Sequence, residues 1–289
     1  MTHVTSGSPY ELALRHGLAQ SGARPTLPTY VRQLWARRHF ILEYARARNQ
    51  AQFTATALGQ VWQVLTPLLN AAVFYLIFGL LVRTGRGVTN YVAFLVVGVF
   101  VFTYTQRAVL SGSRSVAANL GLVRALHFPR ATLPLASTVM ELQQLLVAMV
   151  VLGAIVLSTG EPLTPSWLLV VPALALQTVF NSGLALALAR VTSRVRDMEQ
   201  LLPFALRSWQ YASGVFFVLQ NVIRTAPTPV RILLEANPAA VYIELVRGAL
   251  MASHPVPPHL WVLGAGWAVV AFAAGFVHFW RAEERYGRG

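Results

Sequence analysis

The chain has 289 residues, 55% of them hydrophobic and only 11% charged. Soluble domains carry roughly 25% charge, so this composition excludes a soluble α/β enzyme and points to an integral membrane protein. Net charge is +13 and all 23 basic residues are arginine, yet they flank apolar runs instead of forming one patch, which argues for membrane topology and against nucleic-acid binding.

Two absences narrow the chemistry. Without lysine there is no P-loop GxxxxGK[ST]. Without cysteine there are no disulfides and no thiolate ligands or nucleophiles.

Residues 1–29 read as a flexible tail broken by Gly7, Pro9, Gly17, Gly22, Pro25 and Pro28, with one helical turn around Tyr10–Ala19. They hold no apolar core long enough for a cleavable signal peptide, so the first membrane helix is expected to direct insertion. Residues 30–50 are predicted helical, with Thr29 as N-cap. Val31, Leu34, Trp35, Ile41, Leu42 and Ala45 form an apolar stripe, with Arg32, Arg37, Arg46 and Arg48 off it and Arg38 inside it. Tryptophan and arginine on such a helix fit one lying in the membrane interface. A helix packed on a soluble partner is the plainer alternative.

The first span is expected at 61–82, an uncharged run long enough to cross a bilayer. Gln63, Thr66, Asn70 and Phe74 follow at three- and four-residue spacing and share one face. That stripe either faces water and a polar cargo or bonds to neighbouring helices. The second span, 91–110, carries Arg107 near the headgroups. The third, 133–158, carries Glu141 about two turns in. A carboxylate at that depth faces the bundle interior, here near Arg107, and a structural ion pair is preferred over a proton relay. The fourth span is 167–190, with Gln177 and Asn181 one turn apart. The fifth, 199–222, is the most polar: Arg207, Gln210, Gly214, Phe217 and Asn221 are expected on one face, with Pro203. The sixth is 260–280.

Between the fifth and sixth spans, 223–259 holds six prolines and two apolar pieces, Val230–Leu234 and Ala239–Met251, too short to cross a bilayer. The fold class is therefore an all-α integral membrane protein: six transmembrane helices, an N-terminal amphipathic interface helix, and re-entrant helices before the last span, in one permease-like unit over 30–289. With the N-terminus inside, sixteen arginines fall in cytoplasmic segments and five outside. This bias predicts that both termini are cytoplasmic.

Several short motifs recur in a telling order. Leu58-Gly59-x-x-Trp62 is followed by Pro67, Val73-Phe74 and Phe78-Gly79. A loop follows with Asn119-Leu120-x-Leu122-Val123-Arg124, Phe128-Pro129-Arg130 and Leu133-Pro134. Arg194-Val195-Arg196-Asp197 and Asn237-Pro238 with Arg247 complete the set. Over about residues 30–280 the ordered set resembles the type-2 ABC exporter permeases of the polysaccharide and teichoic-acid (O-antigen) export family, the Wzm-like proteins. Gln60 stands where a proline is common and Arg124 where a lysine is common.

The resemblance implies a homodimer in the bacterial inner membrane that docks two copies of a separate ABC ATPase, giving a heterotetramer. ATP and magnesium would bind the partner ATPase, with no cofactor, metal or catalytic residue in this chain. The cargo would be a lipid-linked polysaccharide such as O-antigen, teichoic acid, capsule or cell-wall galactan. An arginine-only chain of a high-GC genome leans toward galactan. The first and fifth spans would line the channel, through Gln63, Thr66, Asn70, Phe74, Arg207, Gln210, Phe217 and Asn221. Arg114, Asn119, Leu122, Arg124, Phe128, Arg196 and Asp197 would meet the ATPase, with Ser113–Ala125 as a short amphipathic helix. Trp35, Arg37, Arg46 and Arg48 would meet membrane lipids and the phosphates of the lipid carrier. Asp197 and Arg196 also suit an N-cap and local charge balance for the fifth span.

Three rival readings exist. One keeps the fold and exports a small amphipathic drug or lipid. Another is a membrane glycosyltransferase, which needs clustered acids or histidines, whereas Glu161, Glu235 and Glu244 are scattered in sequence. A secondary transporter would want internal repeats, which are not visible.

Overall fold

The structure is a computed structural model that describes residues 25–53, 58–81, 88–126, 128–195, 197–219, 222–223 and 226–286. Among these residues all regular structure is helical. Helices α1 (Leu27–Ala36) and α2 (Arg38–Phe53) come first, then α3 (Trp62–Phe74) and α4 (Tyr91–Arg114). A short α5 (Leu120–Ala125) precedes α6 (Thr132–Ser158) and α7 (Val170–Arg194). The chain ends with α8 (Met198–Ala212), α9 (Thr228–Glu235), α10 (Pro238–Leu250) and α11 (His259–Trp280).

Four segments are long and apolar enough to cross a membrane: 91–114, 132–158, 165–194 and 259–280. They match the expected second, third, fourth and sixth spans. The most apolar stretch of α4 is 78% buried and that of α11 only 22%, so α4 is the central helix and α11 a peripheral one. Val150, Val171, Val262 and Val269 are each at least 66% exposed, as lipid-facing side chains should be.

The other two expected spans are not single long α-helices. The first runs as α3 and then loosens into a π-helical stretch, Tyr75–Leu81. Pro67 sits inside α3 and cannot donate to the preceding turn, and Thr66 Oγ1 turns back to donate to the Trp62 carbonyl at 2.9 Å. The fifth stops at Ala212, because Gly214 takes φ +66° and turns the chain. The expected common face of Arg207, Gln210, Gly214 and Phe217 is therefore not formed: Gly214 and Phe217 have left the helix. Within α8, Arg207 is exposed while Gln210 is buried.

The interface helix is also two helices, broken at Arg37, with Thr26 and not Thr29 at the N-cap position and Pro28 in the first turn. Ser113–Ala125 is not one helix: α4 continues to Arg114, a 3₁₀ turn covers Ala117–Asn119, and α5 follows. The two short apolar pieces do become α9 and α10.

Small residues let helices approach closely. A Cβ on Gly183 of α7 would run into the backbone of Ala271 in α11, and one on Gly275 into the backbone of Gly183. Gly275→Leu should therefore cost about 1–3 kcal/mol or more by overpacking, read as a lowered thermal midpoint in detergent. An unchanged midpoint would contradict this packing.

Candidate functional site

Both ends of the described chain meet on one face, at a second small core that includes Tyr30, Val123, Leu133, Phe276 and Phe279. Tyr30 is 1% exposed and its hydroxyl donates to Glu283 Oε2 at 2.8 Å. Glu283 Oε1 accepts from the Arg130 amide at 2.9 Å, and the Arg130 side chain bonds the Glu283 carbonyl. The Ala131 amide donates to the Tyr30 hydroxyl oxygen at 3.1 Å. One carboxylate thus ties α1, the loop before α6 and the C-terminal segment together. Nothing in the sequence marked Glu283 for this role, since its partners lie more than 150 positions away.

Burial holds the Glu283 carboxyl above the usual carboxylate range, with the Arg130 amide and the Tyr30 hydroxyl offsetting part of the rise. A carboxyl raised in the folded state lends stability that is complete below its unfolded pKa and fades as pH climbs through the folded value. Glu283→Gln should therefore flatten the fall in thermal midpoint from about pH 4 upward. Equal slopes for both proteins would contradict this.

The residues predicted to meet an ATPase divide. Asn119 Oδ1 accepts from the Tyr44 hydroxyl at 2.9 Å and Phe128 packs on Phe40 with centroids 6.0 Å apart, so both turn toward α2. Leu122 packs into the second core. Arg114 and Arg124 are exposed, and Arg114 Nη2 donates to the Glu199 carbonyl at 3.0 Å, joining the end of α4 to the first turn of α8. Asp197 occupies the N-cap position of α8 but its side chain makes no cap hydrogen bond. Arg196 lies outside the described residues.

On α1 and α2, Trp35 is 70% exposed, and Arg38 stacks over it with 5.6 Å to the ring centroid. Arg37 is exposed at the break, and Arg46 pairs with Glu43 at 2.7 Å in solvent, a pair of small energetic worth. Arg48 points inward, 3.5 Å from the Tyr44 hydroxyl.

A polar cavity of about 370 Å³ opens between α2, α3, α4 and α6. Gln52, Thr66, Arg107, Glu141 and Gln144 contribute to it. Glu141 is 6% exposed and lies inside the bundle beside Arg107, as expected. The direct ion pair is absent: Arg107 reaches Gln144 Oε1 at 3.5 Å, and Gln144 Nε2 donates to Gln52 Oε1 at 3.1 Å.

The predicted channel residues are dispersed. Thr66 lines the polar cavity and Asn70 is exposed. Phe74 packs on Phe216 with ring centroids 4.5 Å apart, and Tyr211 lies 5.3 Å from the same ring. The first and fifth segments therefore do meet, through Phe216. Phe217 is half-buried against the main core. The Gln63 side chain and Asn221 lie outside the described residues.

The opposite face is organised by a residue that the sequence reading named only as part of the Asn237-Pro238 motif. Arg247, on α10, has a side chain with 0% exposure. It donates to the Phe94 carbonyl at 3.0 and 3.1 Å, to the Gly214 carbonyl at 2.9 Å, to the Val215 carbonyl at 3.0 Å and to Glu244 Oε1 at 2.9 Å. Its guanidinium also lies 3.3 Å from the Phe94 ring centroid. Asn237 Nδ2 donates to the Ala212 carbonyl at 3.0 Å, while its Oδ1 accepts from Trp209 Nε1 at 2.9 Å. The turn at Gly214 that ends α8 is held by these two side chains, which satisfy the carbonyls of Ala212 and Gly214. The available signal was an arginine inside a thirteen-residue apolar helix, which must find acceptors. Acids that read as scattered also converge here: Glu235 and Glu244 line one cavity of about 840 Å³ with His254, and His254 Nε2 lies 2.5 Å from Glu244 Oε2.

The chain is similar to known proteins. The family model "ABC-2 type transporter" matches residues 42–251. The O-antigen export system permease protein RfbA of Myxococcus xanthus is 24% identical over 258 residues, covering 88% of this chain and 96% of that protein. The protein of the same name in Klebsiella pneumoniae is 25% identical over 203 residues, covering 70% of this chain and 76% of its own. With its apolar spanning helices and a family match over more than half its length, this chain is a multi-pass membrane protein that belongs to the ABC-2 type transporter family.

Proposed function

We propose that the chain is the permease subunit of an ABC exporter that carries a lipid-linked polysaccharide from the cytoplasm to the outer side of the bacterial inner membrane. The observation that carries this reading is the alignment, over 88% of this chain, to a permease named for O-antigen export, within the matched family. The motor is a separate ABC ATPase, since this chain has no lysine for a P-loop. The exporter is a homodimer of permeases with two ATPases. ATP and magnesium bind those partners.

The geometry supports the reading at three points. The hydrogen bond between Tyr30 and Glu283 brings both described ends to one face, which the arginine bias assigns to the cytoplasm. Arg114 and Arg124 stand exposed on that face for the motor. Asn119 and Phe128 pass its movement to α2 through Tyr44 and Phe40. Among the candidate polymers, a cell-wall galactan precursor fits the arginine-only composition.

Depleting the protein in its native cell tests the reading. Lipid-linked glycan should accumulate undelivered while its synthesis continues. Unchanged glycan export together with a block in efflux of a small amphipath would overturn it.

A further inference from the structure

The polar cavity beside α3 has a feature that a plain packing defect lacks. Arg107 is half-buried there, and its only hydrogen bond among the described residues is the 3.5 Å contact to Gln144. A guanidinium has five N–H donors, and the described residues take up only one of them. Arg114 borders the same cavity, so two guanidiniums against one carboxylate leave the site net positive. Arginine's planar fork suits phosphate oxygens.

The rest of the lining suits a sugar. Glu141, Gln144 and Gln52 offer acceptors and donors, and Trp62 offers an aromatic ring. Depth points to a lipid-borne ligand. Glu141 lies nine residues into α6 and Arg107 seven residues before the end of α4, so both sit roughly 10–14 Å in from the face. The helix face that bounds the cavity with Trp62 and Thr66 continues, at three- and four-residue spacing, through Leu69 and Val73, each 52% exposed. A polar pocket that runs into an exposed apolar stripe fits a molecule with a charged head and a hydrocarbon tail.

We infer that this cavity holds the head of a lipid whose phosphate carries a sugar, with Arg107 and Arg114 on the phosphate, Glu141 and Gln144 on the sugar hydroxyls, and the tail along α3. The inference rests on the export function proposed above and assigns its loading site.

The test uses the permease–ATPase complex in phosphatidylcholine nanodiscs, with a short-chain polyprenyl diphosphate bearing one N-acetylhexosamine as the probe. Arg107→Gln should weaken probe binding at least tenfold, Glu141→Gln several-fold, and Arg107→Lys should recover part of the loss, all with unchanged thermal midpoints. Adding phosphatidylglycerol to the nanodiscs should leave probe affinity unchanged. Wild-type affinity in Arg107→Gln, with glycan export by the wild-type complex intact, overturns the site and leaves the export function standing. Full displacement of the probe by phosphatidylglycerol makes this an ordinary phospholipid site and also overturns the inference. A wild-type complex that neither binds the probe nor exports glycan removes the function itself.

Discussion

Arg247→Met should destabilise the protein by about 3–5 kcal/mol and abolish export. Methionine fills similar space but donates nothing. The carbonyls of Phe94, Gly214 and Val215 would lose their donor, and Glu244 would lose its charged partner. Those carbonyls belong to the start of α4 and to the turn after α8, so the arginine fastens two elements of the far face to α10. Gly98 sharpens the point: a Cβ there would lie 2.6 Å from Arg247 Nη2, so the helix surface is shaped around the guanidinium. Glu244→Gln should cost much less, because the three carbonyl contacts remain. Unfolding midpoints in detergent check this order, and equal losses for the two variants would contradict it.

The second large effect is expected at the seam between the first and fifth segments. Phe216 is 1% exposed and receives Phe74 on one side and Tyr211 on another. Truncating a buried phenylalanine to alanine costs about 3–5 kcal/mol, so Phe216→Ala should lower stability markedly. Phe74 is only half-buried, and Phe74→Ala should leave a folded permease that still binds its ATPase but exports poorly. Phe217→Ala should be the mildest of the three for stability. Copurification of the ATPase together with glycan delivery separates these outcomes. Normal export by Phe74→Ala would remove the seam from the transport path.

Much of this fold was legible in the sequence. Charge depletion and apolar length located α4, α6, α7 and α11, because one long α-helix carries most of each apolar run. The same rules overextended the fifth span. Helical periodicity assumes a continuous helix, whereas the turn at Gly214 is stabilised by Asn237 and Arg247, more than twenty residues later in the chain. The first span lost its regularity at Pro67 and beyond Phe74, where the chain becomes π-helical. The candidate site was legible in part. Glu141 had to be inside the bundle, and it is, but its partnership with Arg107 passes through Gln144 and a cavity that no spacing rule describes. The node at Glu283 was invisible, since hydrogen bonds spanning 153 and 253 positions leave no local pattern.

The exporter reading is tested most directly by moving the cargo. The permease–ATPase complex copurified from native cells would be reconstituted with its ATP sites facing outward, and lipid-linked polysaccharide would be supplied on that side. ATP should drive the glycan into a compartment protected from added glycosidase, and Arg107→Gln should fail to do so while still folding. Sustained ATP hydrolysis that leaves all glycan accessible, while a small amphipath accumulates inside, would contradict the account.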